Sequence, residues 1–181
     1  MADACVVVDT TILYFHLLEQ LRQAAAGSIP GYLITPQFRA LTVEQRAEIA
    51  SYLGGAEVVT VPGVIAEVDR RWRVFKPFYG KCPRCGHSEP FRAIGGPERR
   101  AFREELHKLV LHLQLKEELV VVRQIPLEHF VGYGPVDGAL FALAVALQRQ
   151  SKVLVVTADD GLRKECVRAR LEAVHVKAPI E

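Results

Sequence analysis

The chain has 181 residues, half of them hydrophobic and about a quarter charged, with a formal net charge of +2. That is the composition of one ordinary globular domain with some length left for an insertion, and it excludes a disordered, collagen-like or disulfide-framework chain. Met1-Ala2-Asp3-Ala4 is not basic and the apolar run Cys5 to Val8 is short. Neither a secretory signal nor a membrane span is therefore expected, and a cytoplasmic protein is.

Cys5-Val6-Val7-Val8 reads as a buried strand. Thr11 to Ala26 reads as a helix with Leu13, His16, Leu17 and Leu21 near helical spacing, stopped by Gly27. Tyr32 to Thr35 is a short strand candidate. Thr42 is placed to cap a helix that runs to about Leu53, with Glu44 and Gln45 in its first turn. Glu57 to Val61 is the next strand, and Pro62-Gly63 opens a helix carrying Glu67. Residues 74 to 97 read as irregular, and a helix is expected from about Glu98 to Leu115. Leu119 to Val122 reads as a strand, followed by a loop with His129 and Gly132. Gly134-Pro135 then starts a helix from Val136 to Gln148. Val153 to Val156 is a strand, Asp159 to Leu171 a helix, and Val174 to Val176 a short edge strand. Such alternation predicts an α/β fold: a central, mostly parallel sheet flanked by helices.

Ligands of open α/β sheets bind beyond the carboxyl ends of the strands. Connectivity places four acids there. Asp9 follows the first strand, and Asp159 lies just past the strand ending at Val156. Glu67 and Asp137 lie in the first turns of helices entered from that rim. Each has a plain structural alternative as a loop acid, helix cap or surface residue. Four carboxylates together repel unless cations are bound, and oxygen ligands suit Mg²⁺ or Mn²⁺. Bound metal of this kind serves phosphodiester hydrolysis. Asp160 is a helix-start acid or an auxiliary ligand. Thr10 and Thr157 are placed to orient carboxylates or water, or are simply strand-end threonines. Removing one acid by Asp→Asn is expected to leave stability unchanged or raised, because like charges repel.

Residues 70 to 103 hold ten bases, Arg70, Arg71, Arg73, Lys76, Lys81, Arg84, Arg92, Arg99, Arg100 and Arg103, against Glu89 and Glu98; ten minus two is +8. Trp72, Phe75, Phe78, Tyr79 and Phe91 interleave with them. Bases for phosphates and aromatics for stacking predict a nucleic-acid surface, of which Arg70, Arg71, Arg73, Lys76, Lys81 and Arg84 are the main candidates. The other reading is a solvated loop anchored by its aromatics. Cys82-Pro83-Arg84-Cys85-Gly86-His87 has the spacing of a zinc knuckle, so Cys82, Cys85 and His87 are candidate structural Zn²⁺ ligands. A free dithiol or vestigial knuckle is the alternative, and no second knuckle supplies a fourth ligand.

Four segments resemble the PIN-domain ribonuclease family in order and spacing. Val6-Val7-Val8-Asp9-Thr10-Thr11-Ile12-Leu13 is similar to its opening strand and first acid. Val61-Pro62-Gly63-Val64-Ile65-Ala66-Glu67-Val68 is similar to its second motif. Gly134-Pro135-Val136-Asp137-Gly138-Ala139-Leu140 is similar to its third, and Leu154-Val155-Val156-Thr157-Ala158-Asp159-Asp160-Gly161-Leu162 to its Thr-x-Asp turn. The likeness spans most of the chain. It departs at Thr11, where many members carry Asn, and in the basic insertion of about residues 70 to 105.

The resemblance implies a single Rossmann-like PIN domain with metal-dependent endoribonuclease activity, with Asp9, Glu67, Asp137 and Asp159 as ligands and RNA as substrate. An antitoxin, another protein partner or a homodimer would suit such a domain. Two alternatives stay open: a PIN-like RNA-binding or scaffold module without activity, and a DNA-directed nuclease of related fold. An aspartyl-nucleophile phosphatase lacks its second Asp at Thr11. A dinucleotide-binding fold lacks its Gly-rich turn at Asp9-Thr10-Thr11. A response-regulator-like domain lacks an acidic pair near the first strand.

Overall fold

The structure, a computed structural model, describes residues 5–24, 41–71, 96–120, 124–125 and 127–177. The expected strand at Tyr32–Thr35 lies outside them. So does the heart of the insertion, with Arg73, Lys76, Lys81, Cys82, Arg84, Cys85 and His87.

Five short strands form one all-parallel sheet: β1 Cys5–Val8, β2 Glu57–Thr60, β3 Lys116–Glu117, β4 Val153–Thr157 and β5 Glu172–His175, in the order β3-β2-β1-β4-β5. The centre is valine-rich because a parallel sheet covered on both sides asks for continuous apolar runs. Val7 and Val8 of β1 are fully buried, as is Val156 of β4. Six helices are described: α1 Thr10–Ala24, α2 Val43–Gly54, α3 Pro62–Arg71, α4 Gly96–His112, α5 Leu127–Leu147 and α6 Asp160–Arg168. Helix α1 packs against α2, α3 and α4, whereas α5 packs against α6. Strands run outward from β1 to β3 and then from β1's other side to β5. Right-handed crossovers therefore put these two helix groups on opposite faces. None of the described helices is long and apolar enough to cross a membrane.

Sandwiched between the sheet and three other helices, α1 buries Ile12, Leu13, Tyr14, Phe15, Leu17 and Leu18, and with them His16 and Glu19. The α2 cap forms as its residues require. Thr42 Oγ1 accepts from Gln45 N, and Gln45 Oε1 accepts from Thr42 N, a reciprocal capping box.

Three elements differ from expectation. The third strand forms at Lys116–Glu117 rather than at Leu119–Val122; of that expected run Leu119 and Val120 are described and lie outside any strand. Pairing with β2 decides this, through Val59 with Lys116 and Thr60 with Glu117. The region around His129 and Gly132 is helical, not a loop. Helix α5 starts at Leu127 and is interrupted at Gly134, where φ 84 and ψ 174 leave the helical region, before Pro135 restarts it. Only glycine adopts that left-handed φ without strain. The last strand spans Glu172–His175, two residues earlier than expected at its start.

Candidate functional site

Strand order reverses between β1 and β4, the topological switch point where crevices of parallel sheets open at the carboxyl ends. Asp9 leaves β1 at that point and Thr157 ends β4. Their side chains meet: Thr157 Oγ1 donates to Asp9 Oδ2 at 2.5 Å, and Ala158 N donates to the same oxygen at 2.9 Å. Asp9 Oδ1 accepts from Ile12 N at 2.8 Å in the first turn of α1. The carboxylate is 5% exposed, so this burial is matched by three donors, two of them backbone N–H groups.

Glu67 is brought to the same rim by α3, entered from β2. Thr10 Oγ1 donates to Glu67 Oε2 at 2.7 Å, so the residue after Asp9 holds the second acid. The neighbouring threonine of β2, Thr60, donates to Val8 O at 3.0 Å and ties β2 to the last residue of β1. Thr10 and Thr157 each donate a hydroxyl hydrogen to a carboxylate.

Asp159 caps α6, its Oδ1 accepting from Leu162 N at 2.8 Å, and its side chain stands at the exposed end of the turn. Asp159 N donates to Thr157 Oγ1 at 2.9 Å, which joins Asp159 to the Asp9 network through its backbone. A Cβ on Gly161 would stand 2.9 Å from Asp159 Oδ1, so only glycine leaves the capping carboxylate where it is. Asp160 turns to Arg163 at 2.9 Å and Lys164 at 2.5 Å. The Lys164 ammonium, then the Arg163 guanidinium, hold its carboxyl down to about 2. Its structure is that of a helix-start acid.

Asp137 is half-buried in the first turn after the Gly134 interruption. Its neighbour Val136 lies against α3: a Cβ on Gly63 would come within 3.0 Å of Val136 Cγ2. The start of α3 thus lies close against the turn of α5 that carries Asp137.

Asp9, Glu67 and Asp159 are tied to the turns that leave β1 and β4 at the carboxyl end of the sheet. Asp9 is joined to Asp159 through Thr157, and Glu67 to the Asp9 turn through Thr10. The donors are all carboxylate oxygens, which is the chemistry a hard divalent cation takes. Among the described residues no three His, Cys, Asp or Glu side chains come together as an ion-holding group. The donor type therefore fits such an ion, while the carboxylates stand apart in the positions their protein partners give them.

Of the basic candidates, Arg70 is exposed on α3 and Arg71 ends that helix. Arg103 is not a free base: its guanidinium grips Asp69 at 2.7 and 2.8 Å in a two-point fork that joins α4 to α3. Asp69 lies one residue before the basic run, so a count beginning at Arg70 misses this partner.

Two groups near the rim escaped sequence reasoning. His175, at the end of β5, reaches Ala158 O at 3.1 Å. Tyr133 lies against the Asp159 turn, its ring 3.5 Å from where a Gly161 Cβ would stand, and its hydroxyl donates to Glu165 Oε2 at 3.3 Å. Desolvation, then the Glu165 carboxylate, raises the Tyr133 phenol above its ordinary value. Neither group has a local sequence signal, because each contact joins elements distant in the chain.

The fold and site together define an all-parallel, Rossmann-like α/β domain with an acidic carboxyl rim at its switch point. Compared with known proteins, the chain matches no family model, no curated protein and no solved structure.

Proposed function

We propose that the protein is a divalent-metal-dependent endoribonuclease of PIN type, with Asp9, Glu67, Asp137 and Asp159 as its acidic centre. The observation that carries this reading is Asp9 itself, a buried carboxylate fixed at the switch point by Thr157, Ala158 and Ile12. A carboxylate with so many donors holds its orientation, as a metal-binding acid must. Bound there, Mg²⁺ or Mn²⁺ would neutralise phosphate charge and generate hydroxide from water near neutral pH.

The chain's own residues supply the rest. Thr10 orients Glu67. Asp159 sits at the N-terminus of α6, on the exposed lip where a polyanion would arrive. An acidic rim repels such a substrate, so a basic surface must bring it in. Arg70, Arg71, Arg73, Lys76, Lys81 and Arg84 are the residues assigned to that role. Cys82, Cys85 and His87 are assigned to a structural Zn²⁺ within the same segment, a claim decided by elemental analysis of protein purified without added metal.

A second reading, a PIN-like RNA-binding module without catalysis, has one observation in its favour. Asp9 and Asp159 each serve as helix-start acceptors, and no ion-holding group is closed among the described residues. The two readings part in one experiment: incubation of labelled RNA and labelled DNA with Mn²⁺, with Mg²⁺ and with chelator. The expected result is RNA cleavage in either metal, abolished by chelator and reduced roughly 10–100-fold or more by Asp137→Asn. Binding of RNA without cleavage supports the non-catalytic module, and cleavage of DNA alone supports a DNA-directed nuclease.

A further inference from the structure

The edge strand β5 ends beside the turn that carries Thr157, Ala158 and Asp159. In the β4–β5 register His175 stands opposite Thr157, and Val176 N donates to Thr157 O at 3.0 Å. From there the His175 ring reaches the turn, with Nε2 3.1 Å from Ala158 O. A carbonyl oxygen only accepts, so Nε2 carries the hydrogen in this contact.

The peptide unit that His175 engages is also held at its other end. Its N–H, that of Asp159, donates to Thr157 Oγ1 at 2.9 Å. Thr157 in turn gives its hydroxyl hydrogen to Asp9 Oδ2 at 2.5 Å, the oxygen that also accepts from Ala158 N at 2.9 Å. The bonds run head to tail: His175 to the Ala158–Asp159 peptide, that peptide to Thr157, Thr157 to Asp9. Aligned hydrogen bonds in a poorly hydrated setting polarise one another in one sense. Thr157 and Asp9 are buried, and His175 is half-buried at the outer end of the row.

We propose that His175 is a positioning residue for the acidic rim: its Nε2–H fixes the Ala158–Asp159 peptide and, through Thr157, the Asp9 carboxylate. The structural part of this claim stands on the hydrogen-bonded row, and its consequence for activity rests on the metal-dependent reading above. What matters is the donor, not the ring. A carboxamide reaching the same carbonyl would serve, and an aromatic ring of similar shape without a donor would not.

The test compares His175→Gln, which keeps a donor, with His175→Phe, which keeps the ring. Hydrogen exchange at the Ala158 and Asp159 amides is read by NMR, and Mn²⁺ affinity by calorimetry. In His175→Phe those two amides are expected to exchange about five- to tenfold faster, the factor that one net hydrogen bond implies. Amides of β1 and β2 should keep their wild-type rates. His175→Gln should restore both turn amides, and Mn²⁺ affinity should fall about tenfold in the Phe variant alone. Wild-type exchange in His175→Phe, or equal loss in both variants, overturns the positioning role whatever the protein cleaves. A wild-type protein that neither binds Mn²⁺ nor cleaves, with the exchange pattern as expected, overturns the proposed activity and supports the positioning of the turn.

Discussion

At the scale of the residue, Asp9 behaves unlike an acid in a repelling cluster. Its two oxygens accept from Ile12 N, Ala158 N and Thr157 Oγ1 inside the protein. An Asn in its place has only one acceptor oxygen, so its NH₂ must face at least one of these donors. Asp9→Asn is therefore expected to lose roughly 1–3 kcal/mol of stability as well as activity, against the sequence-based expectation of unchanged or raised stability. Glu67→Gln is the counterpart, because a Gln Oε1 can still accept the single Thr10 hydrogen. Thermal unfolding of the two variants checks the contrast: a clear fall for Asp9→Asn and little change for Glu67→Gln. Thr157 takes part in both directions, donating to Asp9 and accepting from Asp159 N. Thr157→Val should cost about 1–3 kcal/mol and Thr157→Ser less, since serine keeps the hydroxyl; a denaturant midpoint no lower for Thr157→Val than for Thr157→Ser would show that the hydroxyl is not what stabilises.

At the scale of the element, the C-terminus of α6 offers a direct test. Arg170 adopts φ 62, and Leu171 N returns to Cys166 O at 2.9 Å, the closing bond of a left-handed helix stop. A side chain is disfavoured there by roughly 1–2 kcal/mol, and glycine returns part of that as lost freedom on folding. Arg170→Gly should thus stabilise by about 0.5–1 kcal/mol, read as a higher denaturant midpoint with an unchanged slope.

Elements with a strong local pattern are legible in the sequence alone. The valine strands β1 and β4, the Thr42–Gln45 box of α2 and Pro62 opening α3 all follow from short-range rules. Lys116–Glu117 carries no strand signal, and only its partner β2 makes it one. The apolar run after it drew the expectation instead, although Leu119 is 84% exposed. Gly132, Gly134 and Pro135 read as punctuation, yet only Gly134 leaves the helical region. Connectivity alone points Asp9, Glu67 and Asp159 to one rim. It does not point to their partners, because Thr10 and Glu67 are 57 residues apart, and Asp9 and Thr157 are 148 apart. No local window contains such pairs.

At the scale of the whole molecule, stability should carry a signature of His16, buried in α1 with Nδ1 lacking a partner among the described residues. Burial, then the nearby His112, lowers its imidazole below the ordinary value, with Glu19 opposing. The unfolded chain then takes up the proton at higher pH than the folded one. Stability from this group is complete above the ordinary histidine value of about 6.5 and is lost progressively as pH falls below it towards the lowered value. Denaturant midpoints measured from about pH 8 down to pH 5 should show that decline, and His16→Leu should flatten it. The order of the strands also sets a schedule for the molecule. The central strand β1 is made first, but its neighbour β4 arrives about 150 residues later along the chain. Pairing across so long a separation is slow to nucleate. Asp9 and Thr157, which meet across that pairing, cannot find each other on a ribosome-bound chain that still lacks β4. Helices α1 to α3 can begin to gather around β1 and β2 during synthesis, while the Asp9–Thr157 contact waits for β4, so that no chain still lacking β4 carries it.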